Sequence, residues 1–279
     1  MVDPVEKKMF SLENRSDILN TISDKLSEDS RISGVILVGS GAYNFKDKYS
    51  DIDLAIVSKE SENLAEVFND WKAIMNNTFS VIHSFETKFA PNSLLHGFYL
   101  DNFLEINMGF QPESNIYAKR KDWKIIFDKT GKLEQITQTS WQEAQKRNPL
   151  NQFTSMVDGS WHLINQALVA IARENYWQAL YEIESIREYT ILIASIDTDL
   201  RLKRFQDAEK LPEDLLKDLE CSLISALTKE ALFNAIKKIT MIYYREVKKT
   251  TKKLDGPDYS FLEKKMLELI GYFEKELFE

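Results

Sequence analysis

Cysteine is almost missing from this chain. Cys221 is the only one, so no intrachain disulfide can form and the cytoplasm is the expected compartment. It sits in a helical-looking stretch, where a packing role is expected. Histidine is nearly as scarce: His83, His96 and His162 are scattered without metal-ligand spacing and read as structural or surface residues. No apolar run approaches the roughly 18–20 residues of a membrane span, and the opening MVDPVEKKMF lacks the apolar core of a signal peptide. Basic residues are outnumbered, 36 Lys and Arg against 44 Asp and Glu, for a net charge of −8. Nonspecific nucleic-acid binding draws its affinity largely from Lys and Arg on phosphates, so this balance argues against it. The acidic excess is compatible with a cationic small molecule instead. No internal repeat or low-complexity segment is present.

What is present suits a globular enzyme. At 279 residues, with 43% apolar and 11% aromatic side chains, the chain can form two domains, each with its own core. The most informative segment is Gly39-Ser40, then ten residues, then Asp51-Ile52-Asp53. The run Val35-Ile36-Leu37-Val38 reads as a buried strand that Gly39-Ser40 ends with a turn, leading into a short helix. Ile52, Leu54, Ile56 and Val57 mark a second strand carrying Asp51 and Asp53. Residues two apart on a strand share a face, so both carboxylates point the same way. Like charges that close repel and resist desolvation, a conflict that a divalent cation removes.

The chemistry follows from that pairing. Mg²⁺ takes hard oxygen ligands and is bound by one or two carboxylates plus substrate phosphates. Two such ions, about 3.5–4 Å apart, can clamp the attacking and leaving oxygens of a displacement at phosphorus. Gly39 lets the backbone approach a phosphate, N–H groups at a helix start favour an anion, and the Ser40 hydroxyl adds a donor or caps the helix. A phosphate-holding turn beside a metal-holding acid pair is a phosphoryl or nucleotidyl transfer site. Lys46 and Lys48, between them, read as solvated, with a triphosphate contact as the minority reading.

The pattern G-S, ten residues, D-I-D-L resembles the signature of the DNA polymerase β-like nucleotidyltransferase superfamily. Within it, KYSDIDL at 48–54 is most similar to bacterial lincosamide and aminoglycoside adenylyltransferases. The resemblance extends through LEINMGF at 104–110 and WKIIFDKTGKLEQ at 123–135, and weakly into IARENYWQALYEIESIREYTI at 171–191. It implies an α+β fold: a catalytic domain with a mixed sheet and helices mainly on one face, then a helical bundle. It also implies a third catalytic carboxylate on a later strand, for which Glu105 is the first candidate and Asp101 the fallback. The resembling enzymes are often dimers with the site near the interface, so a homodimer is among the expectations.

Along the chain, residues 12–29 and 61–76 read as amphipathic helices, and Thr78–Phe89, Phe98–Met108 and Trp123–Phe127 as strands. After Asn148-Pro149 strand alternation disappears and glycine becomes rare. Apolar residues then recur every three or four positions, as in a bundle of about five helices. Leu215, Leu219, Leu223 and Leu227 are one such series. The expected boundaries are a catalytic domain over 1–135, a linker over 136–152 and a bundle over 153–279. Trp177 and Tyr181 read as core before sugar-binding surface, and Glu182, Glu184 and Glu188 as minor candidates for acceptor contacts. The basic run from Arg245 to Lys253 reads as a solvated helix face.

The expected function is Mg²⁺-dependent transfer of a nucleoside monophosphate, AMP from ATP, to a small-molecule hydroxyl, with release of pyrophosphate. An aminoglycoside or lincosamide is the expected acceptor, and antibiotic resistance the implied role. Asp51, Asp53 and Glu105 are the catalytic and metal candidates for two Mg²⁺ ions, and Gly39 and Ser40 the nucleotide-binding ones. The alternatives are an antitoxin-like enzyme that nucleotidylates a protein partner, and a catalytically silent nucleotide-binding module. Nucleic-acid and membrane partners are not expected.

Overall fold

The computed structural model describes residues 12–43, 45, 49–60, 62–118, 123–145, 148–198, 202 and 205–279. The chain divides into two compact units, Met1–Arg147 and Asn148–Glu279.

In the first unit the elements run α1 (Leu12–Glu28), β1 (Ile32–Val38), a 3₁₀ turn (Gly39–Tyr43), β2 (Ile52–Ser58), α2 (Leu64–Thr78), β3 (Val81–Ala90), β4 (Ser93–Leu100), β5 (Glu105–Pro112), β6 (Lys124–Asp128) and α3 (Leu133–Gln145). The strands form one sheet in the order β3-β4-β5-β2-β1-β6. Among the described residues only β2 and β5 pair parallel, so the sheet is mixed, as expected. Alternation along the central strands sorts their side chains onto two faces. Leu37, Leu54, Ile56 and Met108 pack with Ile18, Ile22 and Leu26 of α1 and Phe68 and Trp71 of α2. Ile36, Ala55 and Val57 pack on the other face with Ile116 and Leu133, the first residue of α3.

One strand differs from the sequence reading. The segment Phe98–Met108 is not continuous: β4 ends at Leu100 and β5 begins at Glu105, with a turn between. Phe103 takes the left-handed conformation there, and Asn102 Oδ1 accepts from the Leu104 amide at 3.1 Å. Asp101 is thereby a turn residue at the start of that bend, not a strand residue. The span 136–152, read as a linker, is mostly helix, divided between α3 and the start of the next unit.

The second unit contains α4 (Pro149–Ala172), α5 (Tyr176–Asp197), α6 (Glu213–Cys221), α7 (Lys229–Leu254) and α8 (Ser260–Phe278). Asn148 caps α4 through its side chain, with Pro149 at the first helical position. Apolar stripes of α4, α5 and α7, including Ile164, Leu168, Ile183, Ile186, Ile236 and Ile239, make one buried core. The basic run lies on α7 and is engaged in ion pairs: Arg245 with Asp218 and Glu246, Lys249 with Glu246, Lys248 with Glu263.

Three surface assignments in this unit are corrected. The series from Leu215 to Leu227 is broken, because α6 stops at Cys221 and Leu223 is exposed. Arg187, buried in α5, binds the chain at that helix end. Its guanidinium donates to the Leu219 carbonyl at 3.1 Å, to the Ser222 carbonyl at 2.9 Å and to the Ser222 hydroxyl, taking up the carbonyls at the helix end. Cys221, expected to be packed, is exposed. Trp177 and Tyr181, expected in the core, are 75% and 70% exposed. They lie outside the apolar stripe of α5, which Ile183 and Ile186 define.

Arg187→Ala should destabilise the protein by about 1–3 kcal/mol, because it takes the guanidinium donor from the Ser222 carbonyl, while the Leu219 carbonyl keeps the Ser222 amide and hydroxyl. Chemical denaturation measures this. A change within about 0.5 kcal/mol, the range of ordinary surface substitutions, would show that the helix end is satisfied without Arg187.

Candidate active site

The expected residues converge at the centre of the sheet in the first unit. Val38, the last residue of β1, pairs with Asp53 on β2, and the chain turns at Gly39 directly beyond. On the other side of β2 the parallel register sets Asp53 opposite Asn107 and Ile52 opposite Ile106. Strand periodicity therefore places Asp53, Asn107 and Glu105 on one face. This is the face of Ala55 and Val57, away from α1 and α2. Asp51 immediately precedes β2 rather than lying within it, because the strand begins at Ile52.

The turn is built against the acid. Gly39 has φ +68°, a left-handed conformation that glycine adopts without steric cost. A Cβ at this position would stand 2.6 Å from Asp53 Oδ2. Ser40 is the second residue of the 3₁₀ turn. Lys46 and Lys48 lie outside the described residues.

The electrostatics match crowded carboxylates. Burial pushes Asp53 up to about 6, with repulsion from Asp51 and Glu105 adding, while a hydrogen bond from Asn107 pulls it down. Burial also raises Asp51, reinforced by the charge of Glu105 and opposed by Arg15. Arg15 is buried in α1 and donates through Nε to the backbone carbonyl of Ser50, next to Asp51. Glu105, the first residue of β5, is exposed.

Asn107 is a site residue that the sequence pattern does not single out. Its Nδ2 donates to Asp53 Oδ1 at 3.1 Å and to Glu105 Oε1 at 2.9 Å. The available signal is its place two residues after Glu105 in an alternating strand. Its link to Asp53 needs the β2–β5 register, which joins residues 54 apart in sequence.

A cavity of about 460 Å³ opens beside these groups, lined by Asp53, Asn107, Phe89, Leu95, Tyr117 and Trp123 among others. Its aromatic walls and polar end can accommodate a planar or ringed group next to the carboxylates. Among the described residues, no group of three or more acidic, histidine or cysteine side chains is placed to hold a metal ion. An open arrangement still suits Mg²⁺, which is held by one or two carboxylates and completed by water and substrate phosphate. Burial first, and carboxylate repulsion after it, raises Asp51 and Asp53, and a cation beside them would favour their charged forms.

The described residues contain no helix long and apolar enough to cross a membrane. The family model described as streptomycin adenylyltransferase matches residues 12–197, about two thirds of the chain. Among solved structures, the chain is similar to an aminoglycoside 6-adenyltransferase from Bacillus subtilis. The match has 14% identity and a TM-score of 0.39, and covers 93% of this chain and 98% of that one. No curated protein matches the sequence. On the family match, this chain belongs to the streptomycin adenylyltransferase family and is a nucleotidyltransferase of the antibiotic-adenylyltransferase type.

Proposed function

We propose that this enzyme transfers AMP from ATP to a hydroxyl of an aminoglycoside or lincosamide, in the cytoplasm and with Mg²⁺. The observation that carries this reading is the packing of the Gly39 turn against Asp53, with Asn107 linking Asp53 to Glu105. Asp51, Asp53 and Glu105 would hold two Mg²⁺ ions, and the bound metal supplies charge neutralisation at the transferring phosphoryl group. Gly39 and Ser40 would hold the β- and γ-phosphates. The acceptor oxygen attacks the α-phosphorus, the bond from that phosphorus to the bridging oxygen breaks, and pyrophosphate leaves. Glu105 is exposed and adjoins Asp53 through Asn107, so it is the group assigned to take the proton from the acceptor hydroxyl. Rate enhancement then comes from positioning and preorganised charge.

The domain assignment follows the same reading. Catalysis belongs to residues 1–135, and acceptor selection to the bundle over 153–279. The net charge of −8 favours a cationic acceptor, which supports the aminoglycoside side of the choice.

The test is a Mg²⁺-dependent pyrophosphate-release assay. ATP, GTP, CTP and UTP are run against a panel of aminoglycosides and lincosamides, with Asp53→Asn as the blank. Release with ATP and one acceptor, absent in the blank, is expected. ATP binding without turnover on any acceptor would overturn the antibiotic reading and favour a protein acceptor or a silent nucleotide-binding module.

A further inference from the structure

We infer that Asn107 is a positioning residue for the cation–nucleotide complex: its one carboxamide sets the orientation of both Asp53 and Glu105. The inference rests on the proposed nucleotidyl-transfer reading of the same site.

A carboxamide nitrogen carries two N–H donors. Asn107 uses both, one on Asp53 Oδ1 at 3.1 Å and one on Glu105 Oε1 at 2.9 Å. Its own Oδ1 is buried and accepts no hydrogen bond from any described residue. The opposite amide orientation would turn that oxygen toward two carboxylates and lose both bonds, so the two acids dictate how the amide sits. A buried acceptor without a partner is uncommon in folded proteins and calls for a reason. Here the reason is that the donors of the same group are committed to the acids.

The bridge has a directional consequence. With Asp53 Oδ1 held toward β5, the remaining oxygen, Oδ2, faces the Gly39 turn, where a Cβ would stand 2.6 Å away. Asp53 thus presents one oxygen to Asn107 and the other to the turn assigned to the phosphates. Glu105 is exposed at the start of β5, and the Asn107 carboxamide is the group that holds its side chain toward Asp53. Loss of the carboxamide would free Glu105 to rotate and would leave Asp53 without its donor.

The test uses Mn²⁺ as the probe, titrated into the full-length protein without nucleotide and followed by electron paramagnetic resonance. Asn107→Leu keeps the approximate shape without N–H groups, and Asn107→Ala serves as the second variant should the leucine impair folding. Asp53→Asn is the control, and melting temperature is recorded for all. Removing a group that orients a metal ligand weakens metal affinity by about 10–100-fold. A loss of that size is expected in the Asn107 variants, with a matching rise in the Mg²⁺ concentration for half-maximal turnover. The acceptor KM should stay within about two-fold, as expected when uniform acceptor binding is untouched. A purely structural role would lower the melting temperature and leave Mn²⁺ affinity unchanged. Wild-type Mn²⁺ affinity in a folded Asn107 variant, with affinity lost in Asp53→Asn, would overturn this inference alone. Wild-type affinity in Asp53→Asn would instead overturn the metal-site reading beneath it.

Discussion

Asp53→Asn is expected to abolish nucleotidyl transfer and, at the same time, to stabilise the metal-free protein. The activity loss should be about a thousandfold or more, the scale seen when a preorganised electrostatic group is removed from a transfer site. The stability gain comes from the same physics. Burial, then repulsion from Asp51, pushes Asp53 up to about 6, against about 3.9 in an unfolded chain. The folded state therefore binds the proton more tightly than the unfolded state. That contribution to stability is fully present below the unfolded value and is lost as pH rises from about 4 to about 6. At neutral pH the ionised side chain is a liability, and an amide removes it. After discounting for solvent screening, the gain is about 1–2 kcal/mol, or about 2–6 °C in melting temperature. Thermal melts in EDTA at pH 7.5 and pH 4 check this: the difference between variant and wild type should be large at the first and small at the second. Saturating Mg²⁺ should narrow the gap by stabilising only the wild type. An unchanged melting temperature together with retained transfer would falsify the assignment of Asp53.

Gly39→Ala should be almost as damaging, for a different reason. Its backbone is left-handed, φ +68°, which costs an L-residue about 1–2 kcal/mol. The added methyl would also stand 2.6 Å from Asp53 Oδ2, so either the turn or the carboxylate must move. A displacement of about 1 Å in a positioned group can cost about 100-fold in rate, and a loss of that size in kcat/KM for ATP is expected. Gly131→Ala separates the two effects. Gly131 has φ +70°, but a Cβ there would meet nothing within 4 Å. That variant should lose stability by a similar backbone cost and keep its activity. Equal activity losses in both variants would show that the contact with Asp53 is irrelevant.

Parts of the candidate site are legible in the amino-acid order itself. Gly39-Ser40 and Asp51-Ile52-Asp53 stand out because a turn, an acid pair and two apolar runs follow each other within one short stretch. Glu105 is visible as the polar member of an alternating strand, although the alternation runs back across a turn. That hairpin turn at Asp101–Leu104 is set by the left-handed Phe103 and by Asn102 capturing an amide, local chemistry that an apolar-polar pattern conceals. Asn107 escapes such a reading because its partner Asp53 is 54 residues away, and strand pairing between β2 and β5 is a long-range choice.

The second unit divides in the same way. Apolar spacing marks its helices, including the break at Arg173-Glu174-Asn175, where Glu174 is left-handed and the Asn175 amide bonds to the Ala170 carbonyl. Spacing does not show that Arg187 of α5 binds the carbonyls at the end of α6. Nor does it show that Trp177 and Tyr181 face outward.

The sequence by itself determined the class of fold, the strand–turn–strand unit and the acids of the proposed chemistry. Periodicity, turn residues and side-chain charge act over a few neighbouring positions and can be read there. Only the tertiary structure decided that Asn107 bridges two acids, that Asp53 lies against Gly39 and is pushed up to about 6 by burial, and which aromatic side chains stay in water. Those outcomes depend on burial and on contacts between distant segments, which exist only once the sheet has chosen its register.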